Sequence, residues 1–548
     1  MKRSDDFVPP AGVFQNQRKR AGVRAFAALL ERLALTPARK GKLRLLVDYF
    51  GSVQDPDRGM ALAALTGDLD LPSVKPALLR ELVTGRVDAE LFALSYDYVG
   101  DLAETISLIW EPRGPMADVR LCDVVERLSR TRRGQAGPVV EALLDGLGTS
   151  ERYALVKLAT GGLRVGVSAR LAKQALADFG ALDVAEIEEL WHGLSPPYAE
   201  VFAWAEARGP KPEQTAPAPF RPVMLASALD EAALPDMDPA AFFAEWKWDG
   251  IRVQAVAQGT ERRLYSRTGD DVSAAFPDVI AHMGFEGALD GELLVRRAED
   301  GQVAAFNDLQ QRLNRKTVTK AMMTRFPAFV RAYDLLQDEE ENLRALPFEV
   351  RRARLEVVIG ALGSDRFDLS EQVPFDSWQD LARHRAAPPE QVIEGVMLKR
   401  RDSIYVPGRP KGPWFKWKRD PHSVDAVLMY AQRGHGKRSS YYSDYTFGVW
   451  KDDALVPVGK AYFGFTDEEM REIDKYVRDN TVERFGPVRS VRAEAGAGLV
   501  LEVAFEGLNR SKRHKSGVAM RFPRISRLRW DKPPEEADRI EALEALLP

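Results

Sequence analysis

Apolar positions in the first two hundred residues recur at helical spacing. Phe26, Leu29, Leu30 and Leu33 fall at i, i+3, i+4 and i+7, one stripe of an amphipathic helix. Thr36-Pro37 offers a cap and a proline for the first helical position, ahead of a second stripe at Leu43, Leu46, Val47 and Phe50. Later, a helix is expected to end at Gly161-Gly162. The next starts at Ser168 and buries Leu171, Ala175, Leu176 and Phe179, with Gly180 just past its end. Residues 1–207 therefore read as all-α, and the Pro-rich polar stretch 208–222 as an extended linker. The pattern then changes. Residues 223–420 mix helices with short alternating strands such as Ile251–Val256, an α+β signature. Residues 421–548 are strand-rich, with candidates at Asp425–Tyr430, Tyr445–Trp450 and Leu455–Val458 and a hairpin turn at Lys451–Ala454. One helix interrupts them, opened by a Thr466/Glu469 capping box and striped by Met470, Ile473 and Val477. Several strands and one helix in this length fit a small OB-type barrel.

Composition narrows the picture. The chain has 548 residues, enough for several domains, with 29% charged and 45% hydrophobic residues. Its net charge of −3 carries no global basic signature, so any nucleic-acid surface has to be local. The single cysteine, Cys122, excludes a disulfide framework and a Cys-rich zinc module and fits a reducing cytoplasm. No apolar run reaches membrane-spanning length, and the start Met1–Asp6 leads into no signal-peptide core. Gln17-Arg18-Lys19-Arg20 reads as a solvated basic face.

Chemistry enters through Glu245-Trp246-Lys247-Trp248-Asp249-Gly250-Ile251-Arg252. Lys247 is either an exposed lysine beside a turn or a covalent nucleophile, and an ammonium cannot attack. Later stretches bear on that choice. Asp290-Gly291-Glu292 sets two carboxylates in an apolar strand, costly unless they bind something. Glu394, which strand parity orients with Val392 and Val396, is a single carboxylate in another apolar strand, suited to a hard cation such as Mg2+. In Trp414-Phe415-Lys416-Trp417-Lys418-Arg419, Lys416 and Lys418 share one face while Phe415 and Trp417 bury the other. Two such ammoniums either line a solvated amphipathic edge strand or call for an anion such as a triphosphate, and would then lower the pKa of a lysine nearby. Arg267 after Tyr265-Ser266 could hold a phosphate or ribose, and Tyr333 could stack on a base or fill the core. Arg164 and Gly166, in a glycine-rich turn before a helix N-terminus, suit a DNA phosphate or form a packing corner. Arg510, Lys512, Arg513 and Lys515, then Arg521–Lys532, make the local basic surface that the net charge conceals.

Taken in order, K-x-D-G-x-R, S-R, D-G-E, an aromatic before D-L-L, E-G-x-M, W-x-K-x-K and a terminal R-F-P-R…D-K resemble the ATP-dependent DNA ligases along nearly the whole chain. The resemblance implies three domains around DNA. They are a helical DNA-binding domain (1–207), an α+β nucleotidyltransferase domain of ATP-grasp-like adenylation type (223–420) and an OB domain (421–548). It implies Lys247 as the residue that takes AMP from ATP, Glu245 reading adenine and Tyr333, in place of the usual phenylalanine, stacking on it. Arg267 and Glu292 would hold the ribose side, Arg252 and Arg409 the nucleotide, and Lys416 and Lys418 the α-phosphate. The spacing around Arg409 differs slightly from the commonest pattern. Glu394, with Glu292, would bind Mg2+, which Mn2+ could replace. Arg524, Arg529, Asp531 and Lys532 would orient pyrophosphate, then swing away about Arg419-Asp420-Pro421. Arg164 and Gly166 would touch DNA. The expected partners are ATP and nicked duplex DNA, with no membrane, and a monomeric, nucleoid-associated bacterial enzyme is expected in the cytoplasm. NAD-dependent ligases need a cysteine zinc cluster that one cysteine cannot build. Capping guanylyltransferases and RNA ligases share the core but not the helical region and R-F-P-R tail. A DNA-binding scaffold with a relic nucleotide site is the reading from outside enzymology, against which the intact Lys247, Glu292, Glu394, Lys416 and Lys418 set argues.

Overall fold

The structure is a computed structural model that describes residues 22–547 apart from positions 70, 298, 314, 316, 434–440, 512 and 513. The basic cluster at 17–20 and the pair Lys512 and Arg513 lie outside the described residues. The chain divides into two compact units. One comprises Met1–Val223 with Val256–Gly269; the other comprises Met224–Ala255 with Asp270–Pro548.

The first unit is helical from Val23–Leu35 to Ala199–Ala205. The predicted stripes are its core: Phe26, Leu29, Leu30 and Leu33 are buried, as are Leu46 and Phe50, with Leu43 and Val47 packed against them. The start of the second helix differs from expectation. It runs Arg39–Ser52 after an uncapped Ala38, and Thr36 instead closes the preceding helix, its hydroxyl donating to the Arg32 carbonyl at 2.7 Å. A threonine hydroxyl serves either helix end, so the sequence alone did not separate the two. The later turn follows expectation. Gly161 has φ +67°, and the Ser168 hydroxyl accepts from the Leu171 amide at 3.2 Å at the head of Ala169–Gly180. That helix ends on Ala181 in the left-handed region, one residue later than predicted. Cys122 is buried here; burial and the neighbouring Asp57 push its thiol up to about 12.

The second unit is built on sheets. A four-stranded sheet has the order Ser227–Ala228, Trp414–Lys418, Ile393–Arg400, Phe242–Trp248. Period-two alternation gives it two unlike faces. Phe242, Ala244, Val396, Leu398 and Trp417 pack with Trp378 and Leu381 into one core. The opposite face carries charge. In a second sheet Gly287–Val295 runs antiparallel to Ala328–Asp338, with Phe367–Leu369 parallel on the far side of the latter. The C-terminal strands form an OB-like β half-barrel. In it His422–Arg433 pairs with Tyr442–Lys451, Val488–Val491 and Val500–Phe505, and Val500–Phe505 pairs with Arg524–Arg529. The predicted hairpin closes at Lys451 opposite Ala454. The capping box is present at Asp467–Asp479: the Thr466 hydroxyl accepts from the Glu469 amide at 3.1 Å, and the Thr466 amide donates to the Glu469 carboxylate at 2.7 Å. Among the described residues no helix is long and apolar enough to cross a membrane.

Candidate active site

Antiparallel register builds the charged face row by row. Lys247 lies opposite Gly395, and Gly395 opposite Lys418; Glu245 lies opposite Met397, and Met397 opposite Lys416. Residues directly opposite share a face, so Lys247, Lys416 and Lys418 gather on one side of the sheet. Gly395 separates Lys247 from Lys418. It has φ +146°, and a Cβ there would sit 2.2 Å from the Trp417 carbonyl oxygen.

Beside Gly395 the register slips. Lys247 pairs with Gly395 but Trp248 pairs with Ile393, which leaves Glu394 as the extra residue of a β-bulge. This corrects the parity that grouped Glu394 with Val396. Val396 is in the apolar core, whereas Glu394 turns onto the lysine face, 2.5 Å from Lys247 Nζ and 3.7 Å from Lys418 Nζ. A bulge breaks alternation without changing residue type, so period-two reading passes over it.

Glu292 completes the group. Burial pushes its carboxyl up to about 7, with the Glu394 charge adding to the rise and Lys247 and Arg252 opposing it. Gly250 makes room for it, since a Cβ there would meet Glu292 Cγ at 2.8 Å and the Leu293 carbonyl at 2.6 Å. Among the described residues no group of three or more His, Cys, Asp or Glu side chains is placed to hold a metal ion.

Two buried polar networks flank this centre. Glu245 is 2% exposed, one oxygen bound by Arg352 Nη1 and the other by Lys399 Nζ, each at 2.8 Å. Lys399 also donates to the Tyr333 carbonyl at 3.1 Å, and its ammonium lies 4.3 Å from the Tyr333 ring centre. Arg252 pairs with the fully buried Asp290 at 2.6 Å and donates to Tyr405 Oη at 3.0 Å and to the Met224 carbonyl. Its Nε is buried without a hydrogen-bond partner among the described residues. Asp290 also takes the Tyr405 hydroxyl at 2.5 Å and Gln254 at 3.1 Å, which supplies the compensation that a buried carboxylate needs.

The half-barrel reaches the same centre through Glu506, which sequence reading did not single out, and through Arg521 and Arg524 of the expected basic tail. Glu506 accepts from Lys418 Nζ at 2.9 Å, with Arg524 at 3.9 Å from Glu506. Arg521 pairs with Asp249, lies 3.7 Å from Glu394, and its guanidinium carbon is 5.0 Å from the Phe306 ring centre. Burial lowers the pKa of Arg521. The other tail residues are held elsewhere: Arg529 and Lys532 both bind Asp425, and Arg529 also binds Asp531. Arg409 is exposed. Arg267, Arg164 and Gly166 belong to the first unit, where both arginines are exposed. Gly166 has φ +66°, and beside it Lys42 donates to the Val165 carbonyl at 2.5 Å. Of the missed residues, Lys399 was legible as the strand-mate of Met397. Tyr405, in an irregular loop, left no signal.

Comparison with known proteins adds an independent line. The family model for the "ATP dependent DNA ligase domain" matches residues 223–418, and that for the "ATP dependent DNA ligase C terminal region" matches residues 438–532. A protein of Koribacter versatilis named "Probable DNA ligase" is 31% identical over 95% of this chain and 96% of its own length. The "DNA ligase 1" of Korarchaeum cryptofilum is 30% identical over 95% of this chain and 97% of its own. The solved structure "Pmar-Lig_PreS3", 16% identical, matches the fold over 92% of this chain and 99% of its own with a TM-score of 0.59.

Proposed function

This chain belongs to the ATP-dependent DNA ligases, and from that premise we propose which of its residues carry AMP from ATP to a DNA nick. Enzymes of this family spend ATP to seal nicks in three transfers. Lys247 Nζ attacks the α-phosphorus, a P–N bond forms, and the bond to pyrophosphate breaks. The AMP then passes to the 5′-phosphate of the nick, and the 3′-hydroxyl displaces it to close the strand. The observation that carries these roles is the convergence of Lys247, Lys418 and Glu394 at the Gly395 bulge, with the Glu292 carboxyl under the influence of the Lys247 and Glu394 charges. In-line transfer at phosphorus depends on positioning and charge neutralisation. Lys416 and Lys418 supply positive charge on one face of the sheet. Lys247 is ion-paired with Glu394, and an amine attacks only when unprotonated, so that pair has to open before transfer.

Glu394 and Glu292 form an oxygen-donor pair suited to Mg2+, with Mn2+ as a substitute. Two carboxylates plus substrate phosphates and water are the usual set for this ion, and the Glu292 carboxyl, raised mainly by burial and further by the Glu394 charge, is one that a bound cation would return to its ionised form. The ion, when bound, would offset phosphate charge. Tyr333 fits the base-stacking role. Glu245, fixed by Arg352 and Lys399, fits the adenine end, and Arg252 is assigned to the nucleotide. Arg267 and Arg409 are assigned to ribose and nucleotide, Arg164 and Gly166 to DNA phosphate, and Arg524, Arg529, Asp531 and Lys532 to pyrophosphate. We assign a helical DNA-binding domain (1–207), a linker (208–222), an adenylation domain (223–420) and an OB domain (421–548), the family models falling within the last two at 223–418 and 438–532. The reading extends to a monomer working at the nucleoid in the cytoplasm.

The test is covalent labelling. With α-labelled ATP and Mg2+, label should remain on the denatured wild-type polypeptide, be absent from Lys247→Ala, and leave on addition of nicked duplex DNA as strands are sealed. Labelling by GTP in place of ATP, or discharge onto nicked RNA alone, would overturn the assignment.

A further inference from the structure

Asp425 lies on the half-barrel strand His422–Arg433 with only 13% of its side chain exposed. One of its oxygens, Oδ2, takes both Arg529 Nη1 at 3.1 Å and Lys532 Nζ at 2.8 Å. The other, Oδ1, is buried with no hydrogen-bond partner among the described residues. A desolvated carboxylate with one idle oxygen is costly on its own, so the two cations are what offset its burial. Its position is fixed from behind. The Asp425 amide donates to Asp538 Oδ2 and the Asp538 amide donates to the Asp425 carbonyl, each at 2.8 Å. The Asp538 carbonyl accepts from the Trp450 amide at 3.0 Å, and Trp450 Nε1 donates to the Pro534 carbonyl at 2.7 Å. The segment after Lys532 thus braces the strand that holds Asp425.

Arg529 is clamped from two sides. Its Nε and Nη2 go to Asp531 at 3.0 and 2.9 Å, and its Nη1 goes to Asp425. A guanidinium has N–H groups to spare beyond these, with one left on each terminal nitrogen to donate to phosphate oxygens. Lys532 keeps two further donors beside it.

We propose that Asp425 is a positioning residue that sets Arg529 and Lys532 side by side as a preformed receptor for the pyrophosphate leaving group. This rests on the pyrophosphate role assigned above to the C-terminal strand. Asp425 touches no substrate itself. It fixes two long cationic side chains in one geometry before ATP arrives, and a receptor ordered in advance acts on the step in which the leaving group departs.

Three measurements on the full-length protein separate this from a role in folding. They are the single-turnover rate of labelling by α-labelled ATP and Mg2+, the half-saturating concentration of inorganic pyrophosphate for stripping label from the adenylated enzyme, and the rate of sealing a chemically pre-adenylated nick without ATP. Asp425→Asn should slow labelling about tenfold and raise the pyrophosphate half-saturation by a similar factor, while sealing of the pre-adenylated nick stays within about twofold. Asp425→Glu should recover a large part of both losses. Equal slowing of labelling and sealing would overturn the proposal, because the residue would then act through the fold. If Arg529→Ala and Lys532→Ala weaken pyrophosphate stripping and Asp425→Asn does not, the anchor is wrong and the role of the strand stands. If neither Arg529→Ala nor Lys532→Ala changes labelling or stripping, the role of the strand falls, and this proposal falls with it.

Discussion

Gly395 decides where Glu394 points. With φ +146° and a Cβ position 2.2 Å from the Trp417 carbonyl and 2.8 Å from Lys418 Cα, no other residue fits without moving the strand that carries Lys418. Gly395→Ala should cost about 2 kcal/mol or more in stability, by combined clash and backbone strain. It should also abolish labelling by α-labelled ATP; denaturant unfolding and the labelling gel measure the two effects separately, and near-normal labelling would show that the bulge does not place Glu394. At this scale the sequence was half legible. The shared face of Lys416 and Lys418 followed from strand alternation, which the register bears out, whereas Lys247 was read beside a turn and lies on the strand Phe242–Trp248. Glu394 was identified as the lone carboxylate of its strand, but its direction depended on an extra residue that alternation does not reveal. Arg352, Tyr405 and Arg521 meet the site from other elements or irregular loops, and no local pattern links them to Lys247.

Elements were more legible than single contacts, because burial and capping are read from neighbours a few residues apart. The box at Thr466 and Glu469 is an example, and Thr466→Ala should cost about 1 kcal/mol in thermal or denaturant unfolding. Thr36-Pro37 shows the converse, where a cap signal served the end of one helix and not the start of the next. Ion pairs between helices leave still less trace. Asp145 accepts from Arg86 at 2.6 Å and from Trp110 Nε1 at 2.9 Å, across residues far apart in the chain. The Arg86 guanidinium, helped by Trp110, holds the Asp145 carboxyl down at about 2, against an ordinary 3.8. A depressed carboxyl stabilises the folded state above its unfolded pKa and loses that contribution as pH falls through the folded value. Asp145 should therefore contribute about 2 kcal/mol above pH ~4 that fades towards pH ~2. Asp145→Asn should flatten the acid limb of unfolding followed by Trp fluorescence, and an unchanged limb would remove Asp145 from its cause.

At the scale of the whole molecule, the net charge of −3 says little, since opposite charges are sorted into contacts. The second unit illustrates this. Lys418 with Glu506 and Arg521 with Asp249 join the half-barrel to the catalytic sheet on either side of the Arg419-Asp420-Pro421 joint. Combining Glu506→Gln with Arg521→Ala should speed tryptic cleavage after Lys418 or Arg419 in the absence of nucleotide. Added salt should move the wild type in the same direction to a smaller extent, because partly buried pairs are less screened. Cleavage at the wild-type rate would mean that the pairs do not hold the joint. Domain order was legible from composition shifts, whereas these contacts between distant segments were not. The thiol of Cys122 has a practical consequence of another kind. It is the sole cysteine, it is buried, and its pKa lies at about 12, so it stays protonated and unreactive at neutral pH. The natural chain is thus already a blank for maleimide chemistry. One cysteine introduced on the surface of each unit would accept a dye pair without removal of a native thiol, and the separation of the units could be followed through a catalytic cycle by fluorescence energy transfer.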